Sequence, residues 1–67
     1  MKLTVNGVHV VVPSTVETVT ELLQHFELNQ KVIIVELNAE IVGKARHAET
    51  RISLGDKIEL VHFVGGG

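Results

Sequence analysis

The sequence contains no cysteine, no tryptophan, no tyrosine and only one proline in 67 residues. Without cysteine the chain can form neither a disulfide framework nor a thiolate zinc site, so its stability must come from apolar packing. Its longest apolar runs, VVV and VIIV, are far too short to cross a bilayer, and no signal-peptide core follows Met1. These absences favour a cytoplasmic protein without a membrane partner.

The sequence also lacks a large excess of either positive or negative charge. Six Lys or Arg stand against eight Asp or Glu, for a net charge of −2, and neither sign is clustered. Nucleic-acid binders carry a basic patch, so we expect no nucleic-acid partner. With 45% hydrophobic residues the chain should fold, and its length suffices for one core. We predict one domain over residues 1–64 and a flexible C-terminal glycine tail over residues 65–67.

The first half of the sequence predicts a β-hairpin and then a helix. Asn6-Gly7 is a strong signal for a two-residue hairpin turn, which pairs Val5 with Val8. The core face of this hairpin is expected to hold Leu3, Val5, Val8, Val10 and Val12. Apolar residues then recur at helical spacing and predict a helix over about residues 15–26, with Ser14 and Glu17 as its capping box.

The second half predicts three more strands. These are KVIIVEL (31–37), a short strand within NAEIVG that ends at Gly43, and a strand over residues 57–64 after a Gly55-Asp56 turn. Residues 44–53 lack a period and are expected to form an irregular connection with one helical turn. One helix can cover one sheet face, so the order of elements predicts an α+β domain with two layers, in which a later strand lies parallel to the first.

Residues with catalytic or metal-binding chemistry are few and scattered. The histidines show no ligand spacing, and we expect three on the surface and one near a strand end: His9, His25, His47 and His62. Asp56, the only aspartate, follows a turn glycine, so no Ser-His-Asp arrangement is indicated. We therefore predict no metal site, no catalytic residue and no enzymatic activity.

Two strands carry more apolar residues than one core face needs. If Ile33, Val35 and Leu37 face the core, Val32 and Ile34 lie outside, and the same alternation places Val61 and Phe63 outside. A contiguous exposed apolar patch usually marks a partner surface. The alternatives are an alternation misassigned by one residue, or coverage of this face by residues 44–53. Replacing Phe63 by a charged residue tests the interpretation, because partner binding should then fall more than stability.

The chain ends in Gly65, Gly66 and Gly67. Glycine has no Cβ, so such a tail is narrow and can enter a channel in another protein. Its α-carboxylate is ionised at neutral pH and is a poor electrophile, but ATP could convert it to an acyl adenylate. The glycine tail is thus a candidate for the working part of the protein, and a disordered end is the alternative.

The segments VNG, ELN, EIVGK and GDKIELVHFV, together with the diglycine end, make the sequence similar to the ThiS family of sulfur carrier proteins in thiamine biosynthesis. The resemblance extends over essentially the whole chain. It implies a ubiquitin-like β-grasp fold with a mixed five-stranded sheet and one main helix packed on one face, in agreement with the element order.

The resemblance also implies a cycle carried out by partner enzymes. A ThiF-type adenylyltransferase would activate the Gly67 carboxylate with ATP, and a persulfide from a cysteine desulfurase would leave a thiocarboxylate on Gly67. A ThiG-type thiazole synthase would receive the sulfur. Gly65 and Gly66 would enter the partner active sites, and Ile34, Val61 and Phe63 would form the partner interface. No bound cofactor is expected, since ATP and the persulfide serve the partners.

Two features depart from the family pattern. Many members have Pro-Arg and an aromatic residue after the EIV segment, whereas this chain has Gly43-Lys44, so partner contacts of that loop do not carry over. Gly65 also exceeds the minimal diglycine end. The alternatives are a sulfur carrier for molybdopterin or another product, a ubiquitin-like modifier that forms isopeptide bonds, and an interaction module with an inert tail.

Overall fold

A computed structural model describes residues 1–62, whose strands and helix follow the predicted order. The elements are β1 (Lys2–Val5), β2 (Val8–Val11), α1 (Val19–His25), β3 (Ile33–Leu37), β4 (Glu40–Val42), a 3₁₀ turn (Lys44–Arg46) and β5 (Lys57–His62). Within this range no helix has both the length and the apolar character needed to cross a membrane. The predicted boundary between domain and glycine tail lies outside the described residues.

The five strands form one mixed sheet in the order β2-β1-β5-β3-β4. β1 and β5 pair in parallel, and the other neighbouring pairs are antiparallel. The hairpin register is the predicted one, with Val5 opposite Val8 and Leu3 opposite Val10. The left-handed backbone of Asn6 and Gly7 (φ 50° and 79°) is the reason that a two-residue turn forms here.

Helix α1 packs on one face of the sheet, and the core lies between the two layers. Leu3, Val35 and Ile58 supply the sheet side, and Val19 and Leu22 supply the helix side. Burying side chains of this size stabilises the fold by about 1.5–3 kcal/mol each. The predicted core face of the first hairpin needs one correction: Val8 is 61% exposed, because it lies at the turn, outside the core cluster.

The helix begins later than the sequence pattern predicts. Its N-cap is Thr18, whose hydroxyl accepts a hydrogen bond from the Glu21 N–H while the Glu21 carboxylate accepts one from the Thr18 N–H. The predicted Ser14–Glu17 capping box is wrong. The backbone around Glu17 pairs with the connection before β5 instead of starting the helix. The Glu17 carbonyl accepts a hydrogen bond from Ile52 N–H, and Thr18 forms an antiparallel β-bridge with Arg51.

Residues 44–53 form an irregular connection with one 3₁₀ turn, as predicted. This segment lies on the helix side of the sheet, where Ile52 enters the core and the His47 carbonyl accepts from Thr20 N–H. His47 is buried, at 8% exposure, so the expectation that it lies on the surface is wrong. Its Nε2–H donates to the Val42 carbonyl at 3.1 Å, which ties this segment to β4.

Candidate functional site

The sheet face turned away from α1, termed the outer face, carries the exposed apolar residues predicted from the strand alternation. Ile34 of β3 and Val61 of β5 lie directly opposite each other and are 38% and 45% exposed. Val35, the next residue of β3, stands opposite Leu60, points to the other face and is fully buried. The assignment of faces is therefore confirmed, and the alternative that residues 44–53 cover this surface is wrong.

Ile41 extends this surface to the sheet edge, and the sequence reasoning did not assign it. In the middle of β4 it stands opposite Glu36 and is 73% exposed. Since Glu36 and Ile34 share the outer face, Ile41 does too. A three-residue strand is too short for its alternation to be read from sequence. We call Ile34, Ile41 and Val61 the apolar patch; the exposed Val32, just before β3, lies on the same side by alternation.

An acidic pair borders the apolar patch. Glu36 of β3 and Glu59 of β5 face each other across the strands, one step along from the Ile34–Val61 pair. Among residues 1–62 neither carboxylate takes part in an ion pair. Like charges directly opposite each other destabilise a sheet. The Glu36–Glu59 pair therefore lowers the stability of the fold, and a contribution to folding does not explain its presence.

A groove of about 610 Å³ adjoins the patch at the β4 edge. Its walls include Ile34 and Ile41 from the patch, Leu23 from α1, and the two cations Lys31 and Lys44. The exposed apolar surface thus continues around the sheet edge towards the helix.

The strand that carries Val61 leads directly towards the glycine tail. His62 is the last described residue and stands opposite Ile33. The predicted interface residue Phe63 and the predicted tail residues Gly65, Gly66 and Gly67 lie outside the described residues. Their roles stay predictions, and the apolar patch lies on the outer face at the root of that segment.

The histidines are distributed over separate parts of the fold. His9 lies beside Thr4 on the first hairpin, His25 packs edge-to-face with Phe26, and His62 is exposed at the end of β5. In the described part of the chain no group of three His, Asp or Glu side chains is arranged to hold a metal ion. The candidate functional site in the described residues is the apolar patch on the outer face.

Comparison with known proteins gives a consistent set of relatives. The model of the ThiS family matches residues 3–67. The sulfur carrier protein ThiS of Bacillus subtilis is 45% identical over 65 residues, which cover 97% of this chain and 98% of that protein. The thiazole synthase of Paramagnetospirillum magneticum is 39% identical over all 67 residues, and the match spans 20% of that longer protein.

Solved structures give the same result for the fold. The crystal structure of the thiamine biosynthesis protein ThiS from Geobacter metallireducens superposes with a TM-score of 0.83 at 38% sequence identity and covers both chains completely. A solution structure of a thiamine biosynthesis protein from that organism gives a TM-score of 0.82 and covers 88% of that chain. The ubiquitin-like β-grasp prediction is confirmed by these neighbours.

Proposed function

This chain belongs to the ThiS family, and we propose that it acts as a sulfur carrier that donates sulfur for the thiazole of thiamine. The observation that carries the function is the match to the B. subtilis sulfur carrier at 45% identity over nearly the full length of both proteins. The protein is a substrate of enzymes and supplies no catalytic group of its own, since the reacting group is its terminal carboxylate.

The reacting atom is the carboxylate of Gly67. One of its oxygens attacks the α-phosphorus of ATP in a ThiF-type adenylyltransferase, and pyrophosphate leaves. The terminal sulfur of a cysteine-derived persulfide then attacks the acyl adenylate carbonyl, and AMP leaves. A thiol reduces the resulting S–S bond and releases the thiocarboxylate. Glycine suits the second substitution, because no side chain crowds the carbonyl carbon that the sulfur attacks. ATP and thiols are available in the reducing cytoplasm, where we place the protein.

A ThiG-type thiazole synthase is the acceptor. The similarity of the whole chain to one fifth of a thiazole synthase supports this partner, because a carrier segment joined to the acceptor works at high effective concentration. A cysteine desulfurase is an indirect partner, as the source of the persulfide. Gly65 and Gly66 provide the narrow backbone that enters the active sites of these partners.

The apolar patch is the docking surface for the adenylyltransferase and the thiazole synthase in turn. It combines exposed branched side chains on three adjacent strands with a position at the root of the segment that ends in Gly67. Phe63, two residues beyond Val61 in the sequence, is proposed to contact the same partners. Burial against a partner would remove apolar area from water, which is the dominant favourable term in association.

Intact mass spectrometry tests the carrier function. The protein is incubated with ATP, a ThiF-type enzyme, a cysteine desulfurase and cysteine, and the B. subtilis sulfur carrier serves as positive control. We expect a mass gain equal to the replacement of one oxygen by sulfur, which is lost again when thiazole synthase and its substrates are added. Conjugates to lysine would instead identify a protein modifier, and an unchanged mass beside a loaded control would refute the proposal.

Deletion of Gly67 locates the reacting group. The shortened chain should fail to gain sulfur while its free energy of unfolding stays within about 0.5 kcal/mol of the parent, as for changes away from the core. Addition of one residue after Gly67 should have the same effect. Sulfur loading of the shortened chain would contradict the assignment to Gly67.

A further inference from the structure

Asn6 connects the first hairpin to the end of β5, far along the sequence. Leu60 N–H donates to Asn6 Oδ1 at 2.7 Å, and Asn6 Nδ2 donates to the Leu60 carbonyl at 3.3 Å. The Asn6 backbone N–H donates to the Ile58 carbonyl at 2.9 Å. One residue therefore makes three hydrogen bonds to β5, and two of them come from its side chain.

The Asn6 side chain extends the hydrogen-bond ladder between β1 and β5 past the point where the backbone pairing ends. The parallel β1–β5 pairing proceeds from Thr4 opposite Lys57 to Val5 opposite Ile58. At Asn6 the chain turns into the left-handed region, with φ of 50°, and the bonds to Leu60 come from the Asn6 side chain. A carboxamide has the same donor and acceptor as a peptide group, so it replaces the missing rung. Beyond Leu60, Val61 and His62 pair with β3, and within residues 1–62 with no other strand.

We propose that Asn6 is a positioning residue that holds the Leu60 end of β5, the strand from which the chain continues to Gly67. This inference rests on the proposed function, since it concerns presentation of the terminal carboxylate to the adenylyltransferase. Holding a reactant in the right geometry lowers the barrier to its reaction, and a loosened strand end spreads the carboxylate over more positions. The loss should therefore appear in kcat, while KM should stay near the parent value because the docking surface is retained.

The chain contains a matched control at the opposite end of the same strand. Asn38 has the same φ of 50° in the other two-residue turn, and its side chain accepts from Lys57 N–H and donates to Asp56 Oδ1, both at 3.0 Å. Asn6→Gly and Asn38→Gly both keep a residue that tolerates left-handed backbone and both remove two side-chain hydrogen bonds. Only the first change loosens the end of β5 from which the chain continues to Gly67.

The experiment measures pyrophosphate release by the adenylyltransferase and hydrogen exchange of the Leu60 amide. Asn6→Gly should lower kcat about fivefold, change KM less than about twofold and accelerate Leu60 exchange by about the same factor as kcat, whereas Asn38→Gly should leave all three within about twofold. Asn6→Asp keeps the acceptor for Leu60 N–H, so its kcat should lie between those of Asn6→Gly and the parent. If Asn6→Gly does not fold, Asn6→Asp replaces it in the comparison with the parent.

Two results would overturn the role of Asn6. The first is an equal kcat for the parent and Asn6→Gly while the parent is adenylated normally. The second is an unchanged Leu60 exchange rate in Asn6→Gly, which decides the matter without any enzyme. A parent chain that is not adenylated at all refutes the proposed function instead, and the exchange measurement then still reports on the hydrogen bonds of Asn6.

Discussion

Four residues hold left-handed backbone in the two hairpin turns, and their side chains suit it to different degrees. Asn6 and Gly7 form the first turn, and Asn38 and Ala39 form the second. Glycine and asparagine enter this region readily, whereas the Cβ of alanine lies too close to the following carbonyl oxygen. Ala39, at φ of 72°, is therefore the strained member of the set.

Ala39→Gly should stabilise the protein. Relief of left-handed strain contributes about 1–2 kcal/mol, and the greater freedom of glycine in the unfolded chain offsets about 0.4–1 kcal/mol of it. We expect a net gain of about 0.5–1 kcal/mol in the free energy of unfolding, measured by urea denaturation. Ala45→Gly is the control, because Ala45 is exposed in the 3₁₀ turn and its φ is not positive. A loss in Ala39→Gly equal to that in the control would contradict the strain argument.

At the scale of elements, α1 shows how tertiary pairing moves a helix start. Apolar spacing alone would allow a helix from Val16 onwards, and Val16 is indeed buried. The backbone of Glu17 and Val19 is instead bonded to Ile52 and Thr50 of the connection before β5. The apolar pattern identified the right residues for the core, but the predicted first turn of the helix is absent because its backbone pairs with this connection.

Thr18→Ala should lower the free energy of unfolding by about 1 kcal/mol, because it removes the hydroxyl that accepts from Glu21 N–H at the helix start. Ser14→Ala is the matched control and should change stability by less than about 0.5 kcal/mol, since Ser14 is exposed and does not cap the helix. Both values follow from urea unfolding curves. Equal losses in the two variants would show that the cap contributes nothing specific.

At the scale of the whole molecule, α1 covers one face of the five-stranded sheet, and among residues 1–62 no element covers the other face. This outer face bears branched apolar side chains in two places. Val11 lies at the β2 edge, and the apolar patch lies on β5, β3 and β4. The two regions differ in position, because only the patch adjoins the end of β5 and the segment that ends in Gly67. Position, and not exposure, is the reason to assign docking to the patch.

Val61→Asp should weaken binding to the adenylyltransferase and to thiazole synthase by more than about tenfold, because it places a charge in a surface that loses water on docking. Val11→Asp is the matched control, with the same residue type on the same face at the far edge, and should change Kd less than about twofold. Calorimetry gives both affinities. Equal weakening by the two variants would contradict the location, and a loss of about 3–5 kcal/mol in stability for Val61→Asp would mean that Val61 is a core residue.

Local patterns in the sequence were sufficient for much of this fold. Asn6-Gly7 determined the register of the first hairpin, because a two-residue turn admits one pairing. The alternation of side chains along a strand predicted Ile33, Val35 and Leu37 on the core side, with a shift by one residue as the alternative, and the structure confirms the first assignment. The exposure of Ile34 and Val61 followed from the same alternation. The chemistry assigned to Gly67 also rests on sequence, through the glycine end and the family to which the chain belongs.

Tertiary structure decided what depends on contacts between distant segments. The start of α1 was set by Thr50 and Ile52, the burial of His47 by its hydrogen bond to Val42, and the membership of Ile41 in the patch by its place opposite Glu36. The link from Asn6 to Leu60 joins residues 54 positions apart. Short-range patterns in the sequence cannot predict such contacts, because the contacts form only after loop closure has brought the two distant segments together.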